Sequence, residues 1–258
     1  MWSFPASFLA EFFSNHGVLQ MVGRPRWRSI SGGAARYVEA LTRPFAGRIH
    51  VRAPVRRIDR YADRVHLVLD DAIESFDEVV LATHSDQALS LLDHPTALER
   101  EVLGSIPYQP NETVVHTDPG LMPSRRAAWA SWNYHLGGPP GAATVTYHMN
   151  RLQSFVAEAD FFVTLNRTGA IDPERVIRKV EYAHPVYTPA GVAAHKRWRE
   201  ISGHRRTHFC GAYWRWGFHE DGVWSALRVG AALGASPPPS DGRATDALAP
   251  ASGAGEAE

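Results

Sequence analysis

Residues 209–233 read FCGAYWRWGFHEDGVWSALRVGAAL, a run in which glycines, aromatic rings and the acidic pair Glu220–Asp221 crowd the approach to a helix. A strand ending at Cys210–Gly211 is expected to hand over to a turn containing Gly217, with Gly222 at the start of the helix VWSALRVGAAL. The first N–H groups of a helix have no intrahelical acceptor and lie at the positive end of its dipole. Glycines there admit a ligand to the backbone, so a phosphate or the electron-rich pyrimidine edge of a flavin would suit the place. The plain alternative is that Asp221 caps the helix and Gly222 eases the turn.

Other chemistries fit less well. His204, His208, Cys210, His219, Glu220 and Asp221 lie close in sequence and include good zinc ligands, but their spacing matches no standard zinc motif. HRRTHF reads as running into a strand, where residues four apart share a face yet lie far apart. No G-x-S-x-G elbow, P-loop or G-x-G-x-x-G occurs, and Cys210 within an apolar strand reads as an inert buried thiol. Between Arg24 and Arg64 stand eleven arginines, no lysine and three acids, Glu39, Asp59 and Asp63. That stretch would steer a phosphate-bearing ligand or simply form solvated faces.

The elements that must position these residues follow from pattern. Phe8, Leu9, Phe12 and Phe13 recur at helical spacing between Pro5 and Gly17. SISGGAARYVEALTRPF reads as a glycine turn and a helix with Tyr37, Val38, Leu41 and Phe45 on its apolar face. RIHVRAPVRRI is a strand interrupted at Pro54, and RVHLVLDD and SFDEVVLATHS are two more, the second buried on both faces. Thr96 and Glu99 form a capping box ahead of a short helix. ETVVHT, AAWASWNYH, AATVTYHMN and DFFVTLN then predict an antiparallel sheet with turns such as GGPPG between them. PAGVAAHKRWREISG is helical and THFCGA returns to strand. The order implies an α/β part made from both ends of the chain and a β-rich part inserted between.

Composition bounds the rest. The 258 residues carry no formal net charge and 44% apolar residues, which gives no global reason to bind nucleic acid. One cysteine excludes an intrachain disulfide, so a reducing compartment, the cytoplasm, is expected. From Ser236 onward the chain has no aromatic residue and is expected to be a disordered tail.

Taken together, GGAARYVEAL, VRAPVRRI, FDEVVLATHSDQALSLL, NETVVHTD, MPSRRAAWASWNY, TYHMNRLQ, FFVTLN and FCGAYWRWGFHEDGVWSAL resemble bacterial NAD/FAD-binding proteins of the flavin amine-oxidase superfamily, which includes monoamine oxidases, protoporphyrinogen oxidase and phytoene desaturases. The resemblance implies an α/β (α+β) fold: part of an FAD-binding, Rossmann-like domain with an inserted antiparallel β-rich substrate domain. It implies cofactor-domain segments at 31–92 and 206–234, substrate-domain segments at 1–30 and 93–205, and the tail at 235–258. It implies FAD as cofactor. By the same resemblance Val55 contacts the adenine end, Ala82 and Thr83 lie beside the diphosphate, and Gly211 is the glycine of the closing strand. Asp221, Gly222 and Val223 then form the helix start that meets the flavin ring and ribityl chain. Ser225–Ala226 stands where the usual pattern reads S-G. The family's opening strand–G-x-G-x-x-G–helix does not occur, so the chain is expected to be a C-terminal portion of such a flavoprotein.

The resemblance implies hydride transfer between a substrate and the flavin. Relatives of this kind are associated with cyclopropane fatty-acid synthases, which implies lipid acyl or isoprenoid substrates, with amines as the other class. Trp129, Trp132, Tyr134 and Tyr147 would wall an apolar cavity or form ordinary sheet core. His135, His148 and His219 are candidate proton-transfer groups, with none singled out, so no catalytic residue is assigned. No metal and no nucleic-acid partner are expected; a peripheral membrane contact is left open. The alternative is a non-catalytic module that keeps the substrate-domain fold without a cofactor.

Overall fold

The computed structural model describes residues 5–23, 28–136 and 143–236. The GGPPG turn and nearly all of the expected tail lie outside these. The chain divides into two compact units, one of Phe13–Ile49 with Tyr108–His184, the other of Trp2–Phe12, His50–Pro107 and Pro185–Glu258.

The second unit is the α/β part. Helix α1 (Ala6–Asn15) contributes Phe8, whose ring lies 5.0 Å from Tyr187 and 6.0 Å from Trp216. In the first unit, α2 (Ala35–Thr42) buries no residue. Strand β1 starts only at Arg57, because Pro54 has no N–H to give a ladder; β1 (Arg57–Arg60), β2 (Val65–Val68) and β3 (Ile73–Phe76) form an antiparallel meander. Beside it, β4 (Val79–Leu81) pairs in parallel with the late strand β10 (Thr207–Phe209). This is the expected joining of both ends of the chain. The expected two-faced burial of β4 is not found: Val79 and Leu81 are buried while Val80, pointing the other way, is 42% exposed.

Helices α3 (Ser85–Leu91) and α4 (Ala97–Gly104) follow β4. The capping box forms as read: Thr96 Oγ1 accepts from Glu99 N–H at 3.1 Å, and the Glu99 carboxylate accepts from Thr96 N–H at 2.7 Å. The same carboxylate takes the Arg60 guanidinium, with Oε2 3.0 Å from Nη2, and both side chains are almost fully buried.

The first unit is built on a five-stranded sheet in the order β6-β7-β8-β5-β9. Its strands are β5 (Tyr108–His116), β6 (Trp132–Tyr134), β7 (Val145–His148), β8 (Phe162–Leu165) and β9 (Val176–Pro185), with α5 (Met149–Leu152) after β7. Strands β3 and β9 carry no core-like pattern in sequence. Each is the edge of its sheet, where little apolar surface is buried.

The expected single helix over 189–203 is two, α6 (Pro189–His195) and α7 (Trp198–Ile201), because Arg197 leaves helical geometry and buried Trp198 turns in to donate to the Phe209 carbonyl at 2.7 Å. Helix α8 (His219–Ala232) begins three residues earlier than expected. The Asp221 carboxylate reaches back to accept from Phe218 N–H at 2.9 Å, which stabilises that extra turn. Among the described residues no helix is long and apolar enough to cross a membrane.

Candidate cofactor site

The parallel pair β4 and β10 sends both chains out at the same end. Phe209 sits opposite Leu81, and Cys210 N–H donates to the Leu81 carbonyl at 3.0 Å. Ala82 and Thr83 therefore emerge beside Gly211, in the crevice outside the carboxyl ends of parallel strands where open α/β sheets bind ligands. Burial pushes the Cys210 thiol up, which keeps it an inert neutral group.

A hydroxyl then ties the strand end to α8. Gly211 N–H donates to Ser225 Oγ at 2.8 Å, and Ser225 donates to the Gly222 carbonyl at 2.8 Å. A Cβ on Gly211 would lie 2.4 Å from Cε1 of Tyr213, so only glycine lets that ring close over the strand end. Gly222 is the opposite case, since a Cβ there would meet nothing within 4 Å. The helix-start expectation is corrected in one respect: Gly222 is the fourth residue of α8 and its N–H already donates to the Phe218 carbonyl at 3.2 Å. What Gly222 offers is bare backbone beside open space rather than a free donor. Asp221 is buried, with Oδ1 3.6 Å from Nε of Arg215, and exposed Val223 follows. Ala82, Thr83, Gly211, Asp221, Gly222 and Val223 thus converge on the strand ends and the first turns of α8. Val55 stands apart, half-buried in the lead-in to β1.

Two observations fit a flat, polar-edged cofactor here. One is the open space at Gly222. The other is the indole Nε1 of Trp214, three residues beyond Gly211, a buried donor with no acceptor among the described residues; such a donor is costly unless something accepts it. A ladder of rings and guanidinium groups follows it in the chain and ends on Trp198: Arg215 lies 4.4 Å from the Trp216 ring and 4.9 Å from Trp224, and Arg228 lies 4.5 Å from Trp224 and 4.2 Å from Trp198. These contacts fix the aromatic turn that sequence marked only as a cluster.

In the arginine-rich stretch Arg36, Arg56, Arg57, Arg60 and Arg64 form ion pairs, and Arg24 and Arg26 lie outside the described residues. Nε of Arg56 is 2.7 Å from Asp70, Nε of Arg57 is 2.6 Å from Asp59, and Arg64 pairs with Asp63. Among the described residues no cluster of three metal-binding side chains forms, and Nε2 of His208 instead faces Glu78 at 3.3 Å.

In the first unit β6 and β7 invert the usual alternation, while β5 and β8 add Val114 and Phe162 to the same buried face. That face carries Asn133, Thr146, Thr164, His116 and His148, while Trp132 and Tyr134 are 51% and 57% exposed on the other face with half-buried Tyr147. Of the four aromatic candidates only Trp129 is core, packed with Met122 and Phe162. The buried polar face is satisfied by a directional chain. Asp118 N–H donates to Nδ1 of His116 at 3.1 Å, so the neutral ring carries its proton on Nε2 and donates to Thr164 Oγ1 at 2.8 Å. Thr164 then donates to Thr146 at 2.8 Å, and Thr146 to Nε2 of His135 at 2.8 Å. Burial holds both imidazoles below their ordinary range, partly opposed at His116 by Asp118 and reinforced at His135 by Arg167. His148 belongs to a separate group, with Nε2 2.8 Å from Asp160, whose other oxygen takes Arg126 at 2.9 Å. His219 lies exposed in the first turn of α8.

Residues 5–121 match the family model described as flavin containing amine oxidoreductase. Among solved structures, the chain is similar to cyclohexylamine oxidase from Brevibacterium oxydans, with 15% identity, a TM-score of 0.59, and 90% of this chain covering 60% of that one. A structure described as a protoporphyrinogen oxidase from Exiguobacterium gives 14% identity, a TM-score of 0.58 and coverage of 89% and 58%. Putrescine oxidase bound to putrescine gives 13%, 0.53, and coverage of 78% and 53%. The chain therefore spans less than two-thirds of the length of these structures. No curated protein matches it. Over residues 5–121 the sequence is similar to the flavin containing amine oxidoreductases, and the fold is similar to that of the three oxidases.

Proposed function

We propose that this chain, similar over residues 5–121 to the flavin containing amine oxidoreductases, is, or is part of, an FAD-dependent oxidoreductase. Ala82, Thr83, Gly211, Asp221, Gly222 and Val223 would hold the diphosphate and flavin ends of the cofactor, and Val55 its adenine end. The observation that carries the reading is the Gly211–Ser225–Gly222 bridge, which sets a strand end and a helix start around open space with a bare backbone. FAD, when bound, supplies hydride acceptance. The chain's own part is to position: Ser225 fixes the spacing of strand and helix, Gly222 keeps side-chain atoms out, and the positive end of α8 favours negative charge nearby.

On this reading the segments 31–92 and 206–234 serve the cofactor, and 1–30 and 93–205 the substrate, in the reducing cytoplasm that one unpaired cysteine favours. The open face of the five-stranded sheet is apolar and aromatic, which suits a lipid acyl chain or isoprenoid better than a small charged amine.

Gly222→Val tests the site without unfolding it. A Cβ at this position meets nothing within 4 Å, and valine is a better helix residue than glycine, so stability should hold or rise. FAD affinity, read by quenching of flavin fluorescence, should fall at least about tenfold, and by more than in Asp221→Ala, which removes the bond to Phe218 N–H and the Arg215 contact without filling the open space. Equal FAD affinity in Gly222→Val and the wild type would remove α8 from the cofactor site.

A further inference from the structure

The turn leading into β10 carries two arginines where its backbone favours asparagine and glycine. Thr207 N–H donates to the His204 carbonyl at 3.1 Å and Gly203 N–H to the Thr207 carbonyl at 2.9 Å, closing a two-residue hairpin turn. Its central residues, Arg205 and Arg206, have φ of 50° and 59°. Positive φ at both positions makes a type I′ turn, which takes Asn-Gly or Asp-Gly because side chains with a Cβ are strained there. A strained local choice of this kind is a mark of function when the side chains themselves have a task.

Those side chains are aimed by neutral carbonyls. Nη1 of Arg205 donates to the His94 carbonyl at 2.9 Å, an acceptor shared with Nη2 of Arg60 at 3.0 Å. Nε of Arg206 donates to Ala62 at 3.0 Å and its Nη1 to Asp77 at 3.2 Å. The Arg60 charge is matched by buried Glu99, and that of Arg206 in part by Glu78 at 3.5 Å. Among the described residues no carboxylate pairs with Arg205, and none accepts from Nη2 of either turn arginine. Arg60, Glu78, Arg205 and Arg206 line a cavity of about 420 Å³ with Tyr61 and Gly203. Its lining carries three guanidinium groups and one carboxylate. Beside it, His208 is buried with an unpartnered Nδ1 and its Cε1 3.7 Å from where a Gly203 Cβ would stand.

We propose that this cavity binds a compact phosphate dianion, either free or as the phosphoryl group of a small phosphomonoester. Guanidinium forks held rigid by backbone carbonyls match phosphate oxygens in pairs, and the volume leaves room for a small organic group beside the phosphate. The site is distinct from the cofactor crevice. Glu78 and Arg206 precede β4 and β10, so the cavity lies at the opposite ends of those strands from Ala82 and Gly211. Arg206 already links the β1–β2 turn, the lead-in to β4 and the start of β10. An anion on it would brace the same three segments.

Thermal melts and calorimetric titration of the full chain with inorganic phosphate and with glycerol phosphate, against chloride at equal ionic strength, test this. Phosphate should raise the melting temperature saturably and beyond chloride. Tighter binding of glycerol phosphate assigns a phosphomonoester, and equal binding assigns the free ion. Arg205→Asn/Arg206→Gly gives the turn its preferred residues and should weaken phosphate binding at least about tenfold. If that variant does not fold, Arg205→Gln, which gives up only the bond to the His94 carbonyl, must weaken it by a similar factor. Gly222→Val should leave the phosphate response intact, which separates this site from the flavin reading. No phosphate-specific stabilisation, or an equal one in the arginine variants, overturns the proposal.

Discussion

Replacing His195 with phenylalanine should make the protein less sensitive to acid. His195 ends α6 and lies edge-on to Phe8, with ring centroids 5.8 Å apart, and to Tyr187 at 6.4 Å. Burial among these rings pulls its pKa from 6.5 down to about 4. A helix C-terminus would by itself favour the imidazolium by about 0.3–1 kcal/mol, so desolvation at about 1.4 kcal/mol per pKa unit is the larger effect. The sign follows. An unfolded chain takes up the proton near pH 6.5, while the folded chain resists until about pH 4, so stability is full above 6.5 and is lost as pH falls through that window. Between about pH 7.5 and pH 5 the loss assignable to this side chain is about 2 kcal/mol, rising to about 3.4 kcal/mol below pH 4. Neighbouring Arg197 is held by Glu101 and Glu200 and keeps its charge throughout. Guanidinium unfolding followed by tryptophan fluorescence at both pH values isolates the effect, because the remaining histidines are common to both proteins. The wild type should lose about 2 kcal/mol more than His195→Phe on acidification. Equal acid losses at unchanged m-values would refute burial as the cause.

Two further outcomes are expected. Arg60→Leu leaves the buried Glu99 carboxylate with only Thr96 to answer its charge and should cost about 3–5 kcal/mol in chemical denaturation at neutral pH, most of it recovered in Arg60→Leu/Glu99→Gln. Burial alone would raise the Glu99 carboxyl, yet the bonds from Arg60 and Thr96 hold it below its ordinary value, so the pair's contribution is present above that value and fades as pH falls through the lowered one. Thr164→Val cuts the chain of hydrogen bonds between His116 and His135 and should cost about 1–3 kcal/mol. Nitrogen-15 NMR should find His116 protonated on Nε2 and His135 on Nδ1 in the wild type, with the His135 titration moving to higher pH in the variant. An unmoved His135 titration would mean that the hydroxyls do not couple the two rings.

The parts of the fold that sequence made legible are those where one physical demand dominates. Thr96 with Glu99 announces a capped helix, and the apolar runs at 79–82 and 207–210 announce strands that meet in one sheet. Edge strands β3 and β9 escaped because solvent faces tolerate any pattern. The start of α8 was misplaced because Gly222 looked like a boundary, while the Asp221–Phe218 bond lets the helix begin at His219. Arg205 and Arg206 gave no turn signal at all, since the residues that normally mark a type I′ turn are the ones they replace.

The sheet of the first unit runs against the ordinary pattern. V-T-Y-H at 145–148 alternates, and alternation is ordinarily read as valine and tyrosine inward, threonine and histidine outward. The structure does the reverse. Thr146 stands opposite Thr164, and His148 and His116 flank Phe162 in register, so hydroxyls and imidazoles on one face can satisfy one another. Burying them then costs little. The more exposed aromatic face is the one a sheet would normally hide. Trp132 and Tyr134 can stay half-exposed because the threonines behind them are the residues this sheet buries.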